Sequence, residues 1–91
     1  MVQVLIPTPL RRFTDGQARI EAAGGTVGEL LTALDARYPG LGERIQEPDG
    51  QIRRFVNVFV NGKNVRELDG PATPLKAGDE VGIIPAMAGG R

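Results

Sequence analysis

The side chains that most often perform chemistry in proteins are missing from this chain. Its 91 residues include no His and no Cys, which removes imidazole general bases, thiol nucleophiles, thiolate or histidine metal sites and disulfides. Carboxylates, guanidinium groups, two amines and a chain terminus remain. Glu43 and Glu47 are four apart, and Asp79 and Glu80 are adjacent. Either pair has the oxygens for acid–base work or for a hard cation, but neither brings the further ligands of a calcium loop, so solvated surface charge is the favoured reading. Arg11-Arg12 and Arg53-Arg54 are basic doublets, read first as solvated loops and second as docking points for an acidic partner. Lys63 and Lys76 stand beside turn signals, with no apolar pocket in view to lower an amine pKa. Gly24-Gly25-Thr26 lacks the spacing of a phosphate loop and reads as a turn before a capped helix. One reactive group is left: the uncharged tail Ala86-Met87-Ala88-Gly89-Gly90. Two residues without a Cβ can thread a narrow channel, and a terminal carboxylate can be adenylated and converted to a thioacid or an amide. The competing reading of such a tail is a frayed end.

The elements that must carry this tail are legible from periodicity. With 41% apolar and 24% charged residues, the chain reads as one small globular domain. Val2 to Ile6 alternates as a strand, closed by Pro7 and Pro9. Asp15-Gly16 marks a turn, and Gln17 to Ala22 returns as a second strand, making a hairpin. Thr26 with Glu29 fits a capping box, and Val27, Leu30, Leu31, Leu34 and Tyr38 follow one helical face until Pro39-Gly40. Leu41 to Gln46 forms a further short turn, with Leu41 and Ile45 packing beneath it. Phe55 to Val60 is the strongest strand, and Asn61-Gly62 turns it back through Lys63 to Leu68. Lys76 to Asp79 turns into a last strand, Glu80 to Pro85. One helix for about five strands gives an α+β fold: a mixed sheet with a single helix across one face. Val56, Val58 and Val60 face the helix. Phe55 and Phe59 then share the other face with Asn57, either as a partner surface or covered by loop 39–54.

Taken together, three segments resemble the ubiquitin-like β-grasp sulfur carriers of the ThiS and MoaD type. They are Phe55 through Arg66, Lys76 through Val81, and Ile84-Pro85-Ala86-Met87-Ala88-Gly89-Gly90. Ile6-Pro7-Thr8, Tyr38-Pro39-Gly40 and Arg53-Arg54-Phe55-Val56-Asn57 are similar to the branch of that family serving the thiocarboxylate route to cysteine in actinobacteria. The resemblance implies a β-grasp domain over residues 1–85 and a flexible tail over 86–91. It implies a carrier acted upon by enzymes, not an enzyme. An E1-like adenylyltransferase/sulfurtransferase would activate Gly90 with ATP and leave a thiocarboxylate there. A pyridoxal-phosphate-dependent cysteine synthase would receive the sulfur, and a JAMM-type metalloprotease with its metal ion would release the product. Gly89, Ala88 and Met87 would thread the partner's channel, and Phe59, Phe55 and Pro85 would dock. The chain itself would bind no cofactor.

Arg91 departs from the family's Gly-Gly ending. Gly90 is there part of an amide, and of three readings (a precursor trimmed by a peptidase before activation, a residue foreign to the natural chain, a lineage that has lost carrier chemistry) the trimmed precursor is favoured. Within the family the rival readings are a small subunit of molybdopterin synthase and a thiamin sulfur carrier; outside it, a β-grasp interaction module that does no carrying. Eleven basic residues balance eleven acidic ones, which argues against nucleic-acid and anionic-membrane partners. The opening apolar run is too short for a signal peptide and no run reaches the length of a membrane span, so the expected location is the cytoplasm.

Overall fold

A computed structural model describes residues 1–85. The tail expected over 86–91, with Met87, Ala88, Gly89, Gly90 and Arg91, lies outside the described residues. Five strands form one sheet: β1 (Val2–Leu5), β2 (Arg19–Ala22), β3 (Val56–Val60), β4 (Lys63–Asn64) and β5 (Glu80–Pro85), in the order β2-β1-β5-β3-β4. A single α-helix, α1 (Val27–Arg37), is packed against it. This is the ubiquitin-like β-grasp arrangement. Only β1 and β5 run parallel; every other neighbouring pair is antiparallel. A parallel pair cannot be closed by a hairpin, so the chain between them must cross over, and the crossover contains α1.

The alternation read from the sequence is the alternation of burial. Val2, Val4, Ile6, Ile20, Ala22, Val56, Val58, Val60, Val81 and Ile83 point into one core with Val27, Leu30, Leu31 and Leu34 of the helix. Leu41 and Ile45 complete it from the loop after α1, around a 3-10 turn at Gly42–Arg44. The helix begins where its cap predicts. Thr26 Oγ1 accepts from the Glu29 amide at 3.2 Å, and the Glu29 carboxylate accepts from the Gly25 amide at 3.0 Å, one residue earlier than in a standard capping box. At its other end Asp35 Oδ1 accepts from the amides of Gly40 and Gly42, tying the loop back to the helix.

Three elements are shorter or different from their sequence reading. The first hairpin is joined through a 3-10 helix, Thr8–Phe13, which starts at the prolines expected only to end a strand. Proline suits the first turn of a helix because the missing amide would be unpaired there anyway. The return from Asn61-Gly62 is a strand for two residues only, then a 3-10 turn at Val65–Glu67. Phe55 precedes β3 instead of opening it.

Candidate functional site

The tail is launched from the best-held strand in the molecule. β5 is the middle strand of five, bonded to β1 on one side and to β3 on the other. Its last residue, Pro85, lies opposite Val56, the first residue of β3. Proline lacks an amide to donate and suits a strand end. The last described residue of β5 thus stands beside Val56, and Phe55 is the next residue back along that neighbouring chain.

The face of the sheet away from α1 has no element over it among the described residues. Loop 39–54, the alternative cover for Phe55 and Phe59, packs instead at the helix side, where Leu41 and Ile45 are buried. Phe55 is 67% exposed and Ile84 54%, while Phe59 and Leu5 are half-buried. Register brings these residues together. Leu5 pairs with Gly82, Gly82 with Phe59, and Ile84 with Asn57 in the next rung but one. The result is an apolar patch running up the sheet to the root of the tail.

A polar latch borders this patch. Asn57 Oδ1 accepts from Arg66 Nη1 at 2.6 Å and from Asn64 Nδ2 at 3.2 Å. Arg66 Nη2 donates to the carbonyl of Arg53 at 2.6 Å. One guanidinium thus fastens the segment before Phe55 to the outer face of β3. Arg54 lies over the Phe55 ring, 5.6 Å from its centroid. Sequence reasoning named Phe55, Phe59 and Pro85 for this face and did not name Ile84, Leu5 and Arg66, which the structure places beside them. The first two were readable, since Val81 and Ile83 facing the core sends Ile84 outward and Val4 does the same for Leu5. Arg66 was not, because its partners are distant in the chain.

Some of the other candidate groups make contacts within the fold, and others are simply exposed. Glu47 is paired with Arg53 at 3.1 Å, and Arg53 also donates to the Glu43 carbonyl. Asp79 accepts from the Lys76 amide at 2.8 Å and from Asn61 Nδ2 at 3.0 Å, which hold its carboxyl below the usual carboxylate range. Arg11 donates to the Ile6 carbonyl, and Arg12 lies over the Phe13 ring. Lys63 and Lys76 are exposed beside their turns. Among the described residues no three carboxylates gather in a way that could hold a metal ion, and no helix is long and apolar enough to cross a membrane.

The sequence pattern of the ThiS family matches residues 4–90. The chain is 46% identical to the sulfur carrier protein CysO of Mycobacterium tuberculosis, across 98% of both chains. Among solved structures it is similar to a chain of the Amycolatopsis orientalis BexX/CysO complex, with a TM-score of 0.93, 40% identity and coverage of 99% of this chain and 100% of that one. It is also similar to small archaeal modifier protein 1 of Methanosarcina acetivorans, with a TM-score of 0.84, 33% identity and coverage of 98% and 95%. The family match over residues 4–90 and the 46% identity across nearly the whole of both chains lead to one assignment: this chain belongs to the ThiS family.

Proposed function

We propose that this protein is a sulfur carrier whose working group is the carboxylate of Gly90. With no His or Cys, the chain supplies the group that is carried and leaves catalysis to partners. Hydrolysis of the Gly90–Arg91 peptide bond frees the carboxylate. An E1-like partner joins it to AMP, with pyrophosphate leaving from ATP. A sulfur nucleophile then attacks the acyl carbon, AMP leaves, and a thiocarboxylate remains on Gly90. Gly89, Ala88 and Met87 form the segment narrow enough to thread the partner's channel, while Phe55, Phe59 and Pro85 dock the body of the domain. Similarity to the CysO carrier favours cysteine synthesis as the destination. There a pyridoxal-phosphate enzyme holds the sulfur acceptor and a JAMM-type metalloprotease returns the carrier, all in the cytoplasm where ATP is at hand.

The observation that carries this reading is the exposed apolar patch of Phe55 and Ile84 beside the end of the central strand β5, whose last residue, Pro85, precedes Gly90 by five positions in the sequence. Similarity to a modifier protein supports a second reading, in which activated Gly90 is joined to an amine of another protein. Intact mass of the protein isolated from its own cells, without reducing or acidic treatment, tests both. The carrier reading expects a species lacking Arg91 and heavier by one oxygen-to-sulfur exchange. The modifier reading expects isopeptide conjugates ending in Gly90. Recovery of only the full-length carboxylate under sulfur demand would overturn both.

A further inference from the structure

Gly82 occupies the middle of the central strand, and nothing in the fold requires a glycine there. Its φ is not in the left-handed region that six other glycines adopt. A Cβ built on it meets no atom within 4 Å beyond its chain neighbours. By contrast, a Cβ at Gly24 would lie 2.7 Å from the Leu30 amide, and one at Gly42 would lie 2.6 Å from Asp35. Those two are enforced by packing. Gly82 is not, and a glycine inside a strand weakens it, since it loses more backbone freedom on folding and offers no side chain to pack. Such a residue often marks a place where another chain comes close to the backbone.

The surroundings say what comes close. Gly82 opens onto the outer face, and its register neighbours there are Leu5 on one side and Phe59 on the other. The missing side chain therefore leaves a dent walled by two apolar side chains, with Ile84 further up the same strand. Charge around the dent is segregated. Arg19 pairs with Leu5 at its edge, and Arg54 and Arg66 stand toward the tail root. Glu21 and Glu80, the partners of Gln3, stand at the opposite end. Only Arg53 is in an ion pair among the described residues, so Arg19, Arg54 and Arg66 offer unneutralised positive charge to a partner.

We infer that Gly82 is a specificity-determining position: the partner that activates the tail seats one apolar side chain on the Gly82 backbone between Leu5 and Phe59, and carries carboxylates on the side of that knob facing the tail. This rests on the carrier reading and adds to it the feature that selects the partner. A dent of this kind registers the domain along the sheet, so that the tail enters the channel at a fixed depth. An aromatic patch alone can slide.

The test uses the chain ending in Gly90 and the E1-like adenylyltransferase of the same organism, with Gly82→Ala and Gly82→Val. Both substitutions are expected to leave the melting temperature unchanged or raised, because they add a strand-favouring side chain in open space. Affinity for the partner is expected to fall in the order Gly, Ala, Val, by at least about tenfold for Val, the range set by a few lost hot-spot contacts. The KM for the carrier should rise in step with the lost affinity, and kcat should fall for Gly82→Val as the tail loses its fixed depth in the channel. If Gly82→Val fails to fold, Gly82→Ala decides alone, with a severalfold loss expected. Equal binding of Gly82→Ala and Gly82→Val to the unmodified chain overturns the inference and leaves the carrier reading standing. Failure of the unmodified chain to be adenylated at all overturns the carrier reading itself.

Discussion

Phe55→Ala separates docking from folding more cleanly than any other single change on the outer face. A phenylalanine side chain has on the order of 150–250 Å² to bury, and Phe55 is 67% exposed. About 100–170 Å² is therefore still open to a partner, worth a ceiling of roughly 2.5–4 kcal/mol at ~25 cal/mol per Å². The third already covered is worth roughly 1–2 kcal/mol of folding stability on the same scale. Ordering of the side chain on binding takes back part of that ceiling. The expected result is a loss of about 30-fold or more in affinity for the E1-like partner, with a modest fall in melting temperature. Titration calorimetry of the chain ending in Gly90, set beside thermal unfolding by circular dichroism, reads both quantities. Ile83→Ala is the counterpart: its side chain is buried, and truncation should cost stability by ~2–5 kcal/mol while leaving the outer face intact. An affinity for Phe55→Ala within twofold of the unmodified chain would refute the placement of the docking surface.

Two further predictions concern the scaffold. Asp79 holds the turn before β5, with its carboxyl kept below the ordinary range first by the Lys76 amide and then by the Asn61 side-chain amide. A depressed folded pKa means a stabilising contribution that is complete above the unfolded value of about 3.9 and is lost as pH falls through the folded one. Asp79→Ala should therefore lower the melting temperature at pH 7 and flatten its decline below about pH 4, as followed by thermal melts across pH. Gly42→Ala should destabilise by roughly 1–3 kcal/mol, because the new Cβ would stand 2.6 Å from Asp35 and disturb the carboxylate that receives the Gly40 and Gly42 amides; urea unfolding checks it.

Much of this fold could be read from its residues, and the reasons are local. Val56-Asn57-Val58-Phe59-Val60 alternates without interruption, so both the strand and its two faces follow from a period of two. Asn61-Gly62 supplies consecutive positive φ angles of 51° and 86°, the geometry that a two-residue hairpin needs. The helix was legible from its cap and its stripe of leucines. What stayed hidden depends on pairing across the chain. The return strand stops after Asn64 because that side chain turns to accept the Arg66 amide and to bond Asn57, and no periodicity announces a side chain bonding to its own backbone. The placement of β5 between β1 and β3 follows no periodicity either, and only the resemblance to the β-grasp family anticipated it.

Each face of β5 and its end serve different ends, and register ties them together. Val81 and Ile83 point into the core, so the strand cannot slip by one residue without sending both into solvent and Ile84 inward. That same constraint fixes Gly82 and Ile84 on the outer face and sets Pro85 opposite Val56. The core therefore determines how far the tail root stands from Phe55 and from the dent at Gly82. Under the proposed function this matters, because the Gly90 carboxylate would have to arrive at a depth set by a partner. Inserting one residue between Pro85 and Ala86 leaves core, patch and dent as they are and lengthens only the stretch from Pro85 to the terminal glycine. Such a chain, ending in Gly90, should bind the E1-like partner with affinity close to that of the unmodified chain and lose most of its adenylation rate. Equal rates would mean that the sheet does not gauge the depth of the tail.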